Sequence, residues 1–307
     1  MFRTTKVTSL IALGVAVAGL SLTACDEEGS EDQPAPAAPP ATTAAAAGDS
    51  APGGIDGTTK ITVDGKSVNV SCSGASAQGK PVVVLLAGLG DGLDKLTDFQ
   101  RRLSGTHRVC SYDRLGEGAS DQPDGPQTFD TTGKILTGVL DRVAGKSPVV
   151  LAGHSLGGLI AARYAPDHQD RVKGVVLMDA TPSTMSADVT RIIPESAPSP
   201  ASDIRAQFVA VVRGETPEQL ATPDGEVRSA GNVPVEVIRH GQPYLEQGVP
   251  GYGQALEQAW TEGQRKWLAL SSHSTLTVAD NSGHYIYVDQ PDVAVQAIDR
   301  VTAQVAR

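Results

Sequence analysis

Val149–Ala152, then Gly153-His154-Ser155-Leu156-Gly157-Gly158, then Leu159–Ala162, reads as a short apolar strand, a sharp turn and an apolar helix. The turn carries the pattern G-x-S-x-G. A serine on such a turn adopts a strained backbone, flanking glycines let strand and helix approach closely, and the hydroxyl is pushed above the strand end over the positive pole of the helix. In a chain with 33 glycines the five-residue pattern alone is weak. The strand before it and the helix after it give it force.

Outward from this turn, similar short apolar runs recur at Val82–Leu86, Val109–Tyr112, Val172–Met178, Val235–Ile238 and Thr275–Val278. Helical stretches separate most of them: Asp94–Leu103, Thr131–Val143, Ser155–Tyr164, Tyr252–Leu270 and Asp292–Val301, the last with Pro291 at its start. Continuous apolar strands alternating with helices predict a mostly parallel sheet covered on both faces, an α/β fold. Upstream, Ile61–Val63 and Ser67–Val70 flank Asp64-Gly65, the signature of a β-hairpin. Residues 181–232, Pro-punctuated and lying between two strands, are too long for an ordinary connection and read as an inserted lid.

The first 58 residues differ in kind. Arg3 and Lys6 precede an apolar run, Val7–Leu22, which leads into Leu22-Thr23-Ala24-Cys25, the layout of an export signal over residues 1–24. Residues 25–58 are acidic and then rich in Pro, Ala and Thr, a disordered tether with at most a transient turn at Ala44–Ala47. That leaves residues 59–307 as one folded domain. Of the net charge of −10, the first 58 residues carry half, with two basic against seven acidic side chains. The mildly acidic remainder has no basic stripe interleaved with aromatics, which argues against nucleic acid as a partner. Cys72 and Cys110 are an even pair once Cys25 is set aside, and export predicts a disulfide between them.

On these residues the chain resembles the α/β-hydrolase superfamily over residues 60–307, closest to its single-domain, lid-bearing, esterase-like branch. Besides the serine turn, Leu86-Ala87-Gly88-Leu89-Gly90 stands where that family usually has His-Gly after its first parallel strand. Tyr112-Asp113-Arg114-Leu115-Gly116-Glu117-Gly118-Ala119-Ser120 is similar to its D-R-x-G-x-G-x-S loop, and Asn281-Ser282-Gly283-His284 to its C-terminal histidine loop. The leader likewise resembles a bacterial lipoprotein signal, which implies acyl chains on Cys25.

Serine needs a base to take its proton. Of the six histidines, His107 precedes a strand, His154 sits inside the turn, His168 lies in a polar loop, and His240 and His273 adjoin strand edges. His284, past the last strand, is where the resemblance places the base. The acid's usual site, past Val235–Ile238, has no Asp and offers only Glu246. The alternative site, the end of the preceding strand, offers Asp179, and this is the expectation. Backbone N–H groups of Leu89 and Leu156 are the implied oxyanion hole. Asp113 and Arg114 are expected to brace the sheet edge.

The reading is a serine hydrolase acting on a small-molecule carboxylic ester, without cofactor, exported and touching the membrane only through a lipid on Cys25. Ser155 argues against the branches that use an Asp nucleophile. Peptidase, lactonase, acyltransferase and C–C hydrolase chemistry use the same Ser-His pair, and a catalytically silent envelope-tethered binding protein is the alternative of another class. Redox and nucleotide-binding readings lack a fingerprint or metal-spaced cluster. Ile192, Ile193, Phe208, Val209, Val211 and Val212 are candidate walls of an acyl pocket.

Overall fold

A computed structural model describes residues 53–306. The leader, Cys25 and most of the tether lie outside the described residues. The elements follow in the order β1 (Gly57–Val63), β2 (Lys66–Ser73), β3 (Val82–Leu86), α1 (Thr97–Leu103), β4 (Arg108–Tyr112), α2 (Phe129–Ala144), β5 (Val149–His154), α3 (Leu156–Tyr164) and β6 (Val172–Met178). After these come α4 (Met185–Ile192), α5 (Ala201–Val212), β7 (Val235–His240), α6 (Tyr244–Gly248), α7 (Gly253–Lys266), β8 (Ser274–Ala279), α8 (Ile286–Asp289) and α9 (Pro291–Val305).

The eight strands form one sheet in the order β1-β2-β4-β3-β5-β6-β7-β8. β1 and β2 pair antiparallel through a turn at Asp64-Gly65, both at positive φ, β2 pairs antiparallel with β4, and every later pairing is parallel. The central strands read as unbroken apolar runs because both faces are covered. Val82, Val84 and Leu86 of β3 point into a core with α2 and α3, while Val83 and Leu85 point into a second core with α1 and α9. A capping box starts α2: the Thr128 hydroxyl accepts from Thr131 N–H, and the Thr131 hydroxyl accepts from Thr128 N–H.

Three expectations change. Residues 53–58, assigned by composition to the tether, belong to the folded domain: Gly53 N–H donates to the Arg142 carbonyl, Ile55 is buried in the core, and Arg108 donates to the Ile55 carbonyl. The serine turn is not helical at Ser155, since α3 begins at Leu156. The helix expected over Tyr252–Leu270 is α-helical only to Lys266 and ends in a 3₁₀ turn. Cys72 and Cys110 face each other across β2 and β4 and are joined by a disulfide.

Between β6 and β7 the chain folds α4 and α5 over α7. Met185, Val189 and Ile193 pack there with Leu256 and Trp260, and Ile192 and Phe208 lie against the same cluster. Fully buried, Ile193 packs within the cap rather than lining a pocket.

Candidate active site

The parallel strands all end on the same edge of the sheet, and the sequence candidates gather there. Ser155 follows β5 at φ 50 and ψ −119, a left-handed conformation that is costly for a side chain bearing Cβ. Its backbone is tied on both sides: Ser155 N–H donates to Met178 O at 3.2 Å, and Thr181 N–H donates to Ser155 O at 3.0 Å. The close approach requires Gly157, where a Cβ would sit 2.3 Å from Leu86 O and 2.5 Å from Ala87 O. The first turn of α3 therefore rests against the loop that carries Leu89.

Asp179 follows β6, also left-handed at φ 47, with its N–H donating to Ile238 O at 2.7 Å. It is wholly buried, and donors surround it. His284 Nδ1 donates to Oδ2 at 2.7 Å and Trp260 Nε1 to Oδ1 at 3.0 Å. His240 Nδ1 donates at 2.8 and 2.9 Å to the two oxygens, and the His240 backbone N–H to Oδ1 at 3.1 Å. Burial alone would raise this carboxyl; the hydrogen bonds and charges of His240 and His284 outweigh it and hold it well below the usual carboxylate range. Asp179 and His284 are thus brought together. Glu246 is not: it lies on the exposed side of α6.

The loop bearing His284 is fastened from below. His154 Nε2 donates to the His284 carbonyl at 3.0 Å, and Asp289 accepts from Gly283 N–H at 2.9 Å. Burial, then the charge of His284, holds the His154 imidazole well below its ordinary value, so it is a neutral donor. Tyr244 OH lies 3.4 Å from His284 Nδ1, and the Trp260 ring meets the His284 ring edge-on at 5.5 Å. Among the described residues the Ser155 hydroxyl bonds to Thr181 Oγ1, at 3.4 Å.

Asp113 braces β2, beside the sheet edge, as well as the site's loops, and Arg114 braces those loops. Asp113 accepts from Leu93 N–H, Ala119 N–H and Asn69 Nδ2 at 2.6 to 2.9 Å. The buried Arg114 guanidinium donates to the carbonyls of Ala87 and Gly88 at 2.7 and 2.6 Å, and twice to Glu218 at 2.7 Å. It fixes the residues just before Leu89 from the cap segment. Sequence reasoning missed Glu218, His240, Glu257 and Trp260. The one available signal was a histidine standing where the usual acid is missing.

Residues 81–300 match the family model described as the alpha/beta hydrolase fold. The chain belongs to that family. Among curated proteins, the uncharacterized protein YqjL of Bacillus subtilis is 26% identical over 216 residues, 70% of this chain and 81% of that protein. Two solved structures share the fold: a thermophilic esterase from Thermogutta terrifontis (TM-score 0.57, 18% identity, 81% of this chain and 99% of that one), and the enol-lactonase from Burkholderia xenovorans LB400 (TM-score 0.55, 19% identity, 80% and 100%). Among the described residues, no group of three or more His, Cys, Asp and Glu side chains is arranged to hold a metal ion.

Proposed function

We propose that this family member is a serine hydrolase cleaving carboxylic esters through an acyl-enzyme, with Ser155 as nucleophile, His284 as base and Asp179 as acid. The observation that carries it is the 2.7 Å bond from His284 Nδ1 to Asp179, beside a serine held left-handed at the adjacent strand end. With Nδ1 occupied by the carboxylate, Nε2 is the nitrogen free to take the Ser155 proton. Attack on the ester carbonyl forms a tetrahedral oxyanion, which the Leu89 and Leu156 N–H groups stabilise. Collapse expels the alcohol, protonated by His284. Water, deprotonated by the same imidazole, then releases the acid. A lactone is an internal ester and opens by the same steps, a reading favoured by the enol-lactonase among the structural neighbours.

The leader supports export with a lipid on Cys25, residues 25–52 acting as a tether and residues 181–232 as a lid over the site. The disulfide suits an oxidising compartment. The test is fluorophosphonate labelling together with hydrolysis of an acyl-chain series of aryl esters by the full chain. Ser155→Ala should lose the label and about 10³-fold or more in rate. A variant that hydrolyses as fast as the parent refutes the reading.

A further inference from the structure

At the end of β7, on the strand where the sequence offers no Asp, His240 is 1% exposed and lies between two carboxylates. Nδ1 meets Asp179 at 2.8 Å, and Nε2 meets Glu257 Oε1 of α7 at 2.5 Å. An ionised carboxylate supplies no hydrogen, so a ring bonded between two of them brings an N–H to each contact, and a ring with two N–H groups is an imidazolium. Burial disfavours that charge, but the hydrogen bonds and charges of Asp179 and Glu257 outweigh it and push the group up to about 9.

Besides the two carboxylates, the groups around the ring are a phenol, an indole, one guanidinium and His284. Across from it on α6 is the Tyr244 phenol, with ring centroids 4.8 Å apart, kept neutral by burial and by the charges of Asp179 and Glu257. Trp260 on α7 is a neutral donor to Asp179, and the Arg239 guanidinium is bonded to the His240 carbonyl at 2.9 Å. From the loop after β8, His284 shares Asp179. The row of groups therefore runs Glu257, His240, Asp179, His284.

We propose that His240 and Glu257 complete the acid: His240 is a positioning residue, charged throughout the working range, that locks Asp179, and Glu257 restores the negative charge that His240 cancels. This rests on the reading of Ser155, His284 and Asp179 as the reacting set. At rest the row carries one net negative charge, and when His284 takes the serine proton it becomes neutral. Without Glu257 the same step leaves a net positive charge in a buried site, which opposes protonation of His284. Without the charge of His240 the row rests with two negative charges, which favours protonation.

The two variants thus have opposite signs. In the full chain, Glu257→Gln should move the acid limb of kcat/KM for an aryl ester down by about one pH unit, and His240→Gln should move it up. A purely structural role would lower the rate without moving the limb. Nitrogen NMR of the protein with labelled histidine reads the charge without using activity, and the His240 ring should show two N–H groups at pH 7. A His240 ring that is neutral at pH 7, an unmoved limb in Glu257→Gln, or shifts of the wrong sign overturn the proposal. Should His240→Gln fail to fold, the partly exposed Glu257→Gln and the wild-type spectrum decide. Failure of fluorophosphonate labelling would instead count against the serine reading, with the NMR result still deciding the charge of His240.

Discussion

Arg114 offers a perturbation whose stability and rate effects can be separated. Its side chain is 4% exposed and that of Glu218 1%. Arg114→Met removes the bidentate pair and leaves the Glu218 carboxylate buried without its cation. Such a half-broken pair costs about 3–5 kcal/mol. The Ala87 and Gly88 carbonyls also lose a donor, at about 1 kcal/mol or more each. A total near 5 kcal/mol would lower the melting temperature of a domain this size by about 10–20 °C. The double variant Arg114→Met/Glu218→Met removes the orphaned charge, so most of the first cost should return while the carbonyls still lack the guanidinium. Both variants should lose about 10- to 100-fold in kcat, because the loop that aims the Leu89 N–H is released in each. Urea unfolding followed by the fluorescence of Trp260 and Trp267, with ester kinetics on the same samples, separates the two effects. A double variant that regains stability and also keeps the parent kcat would show that Arg114 does not position the oxyanion loop.

Asp179→Asn should lower kcat by about 10³–10⁴-fold and Glu246→Gln by less than about tenfold; kinetics showing the reverse would move the acid to α6. Glu117 is pushed up to about 8 by burial and by the hydrogen bond and charge of Glu218. A group raised from 4.5 adds stability that is full below pH 4.5 and lost as pH rises through about 8, at up to about 1.4 kcal/mol per pH unit. Glu117→Gln, which cannot ionise, should flatten urea midpoints measured at pH 5, 7 and 9, and an unchanged slope refutes the assignment. The Cys72–Cys110 bridge closes a separation of 38 residues, worth roughly 4 kcal/mol in the chain-entropy model. Mature protein should have a mass about 2 Da below its reduced form; alkylation of both thiols without reductant contradicts it.

The strands and the serine turn were legible because each is written locally: an unbroken apolar run for a strand covered on both faces, and glycines around the serine where strand and helix touch. Asp179 was legible only as the end of such a run. What escaped depends on neighbours distant in sequence. His240 reaches Asp179 because β6 and β7 pair with Met178 opposite Ile238, and no local pattern encodes that register. Glu257 and Trp260 are neighbours one turn apart on α7, which reads as an ordinary amphipathic helix, and Glu218 sits in an irregular stretch 104 positions from its arginine. Ile55 was the lone large apolar side chain among polar neighbours, and only the packing identifies it as core.

The placement of Asp179, the proposed acid, just after β6 also bears on how activity would arise during folding. Ser155 lies at the first turn and Asp179 at the end of a single strand–helix–strand unit, so the two come together with little loop-closure entropy. The imidazole lies 105 positions beyond the carboxylate, past β8, which pairs with β7. A growing or refolding chain would therefore build its serine turn early, without reactivity. Competence would be conferred by the last strand of the sheet, once the chain around it is already in place.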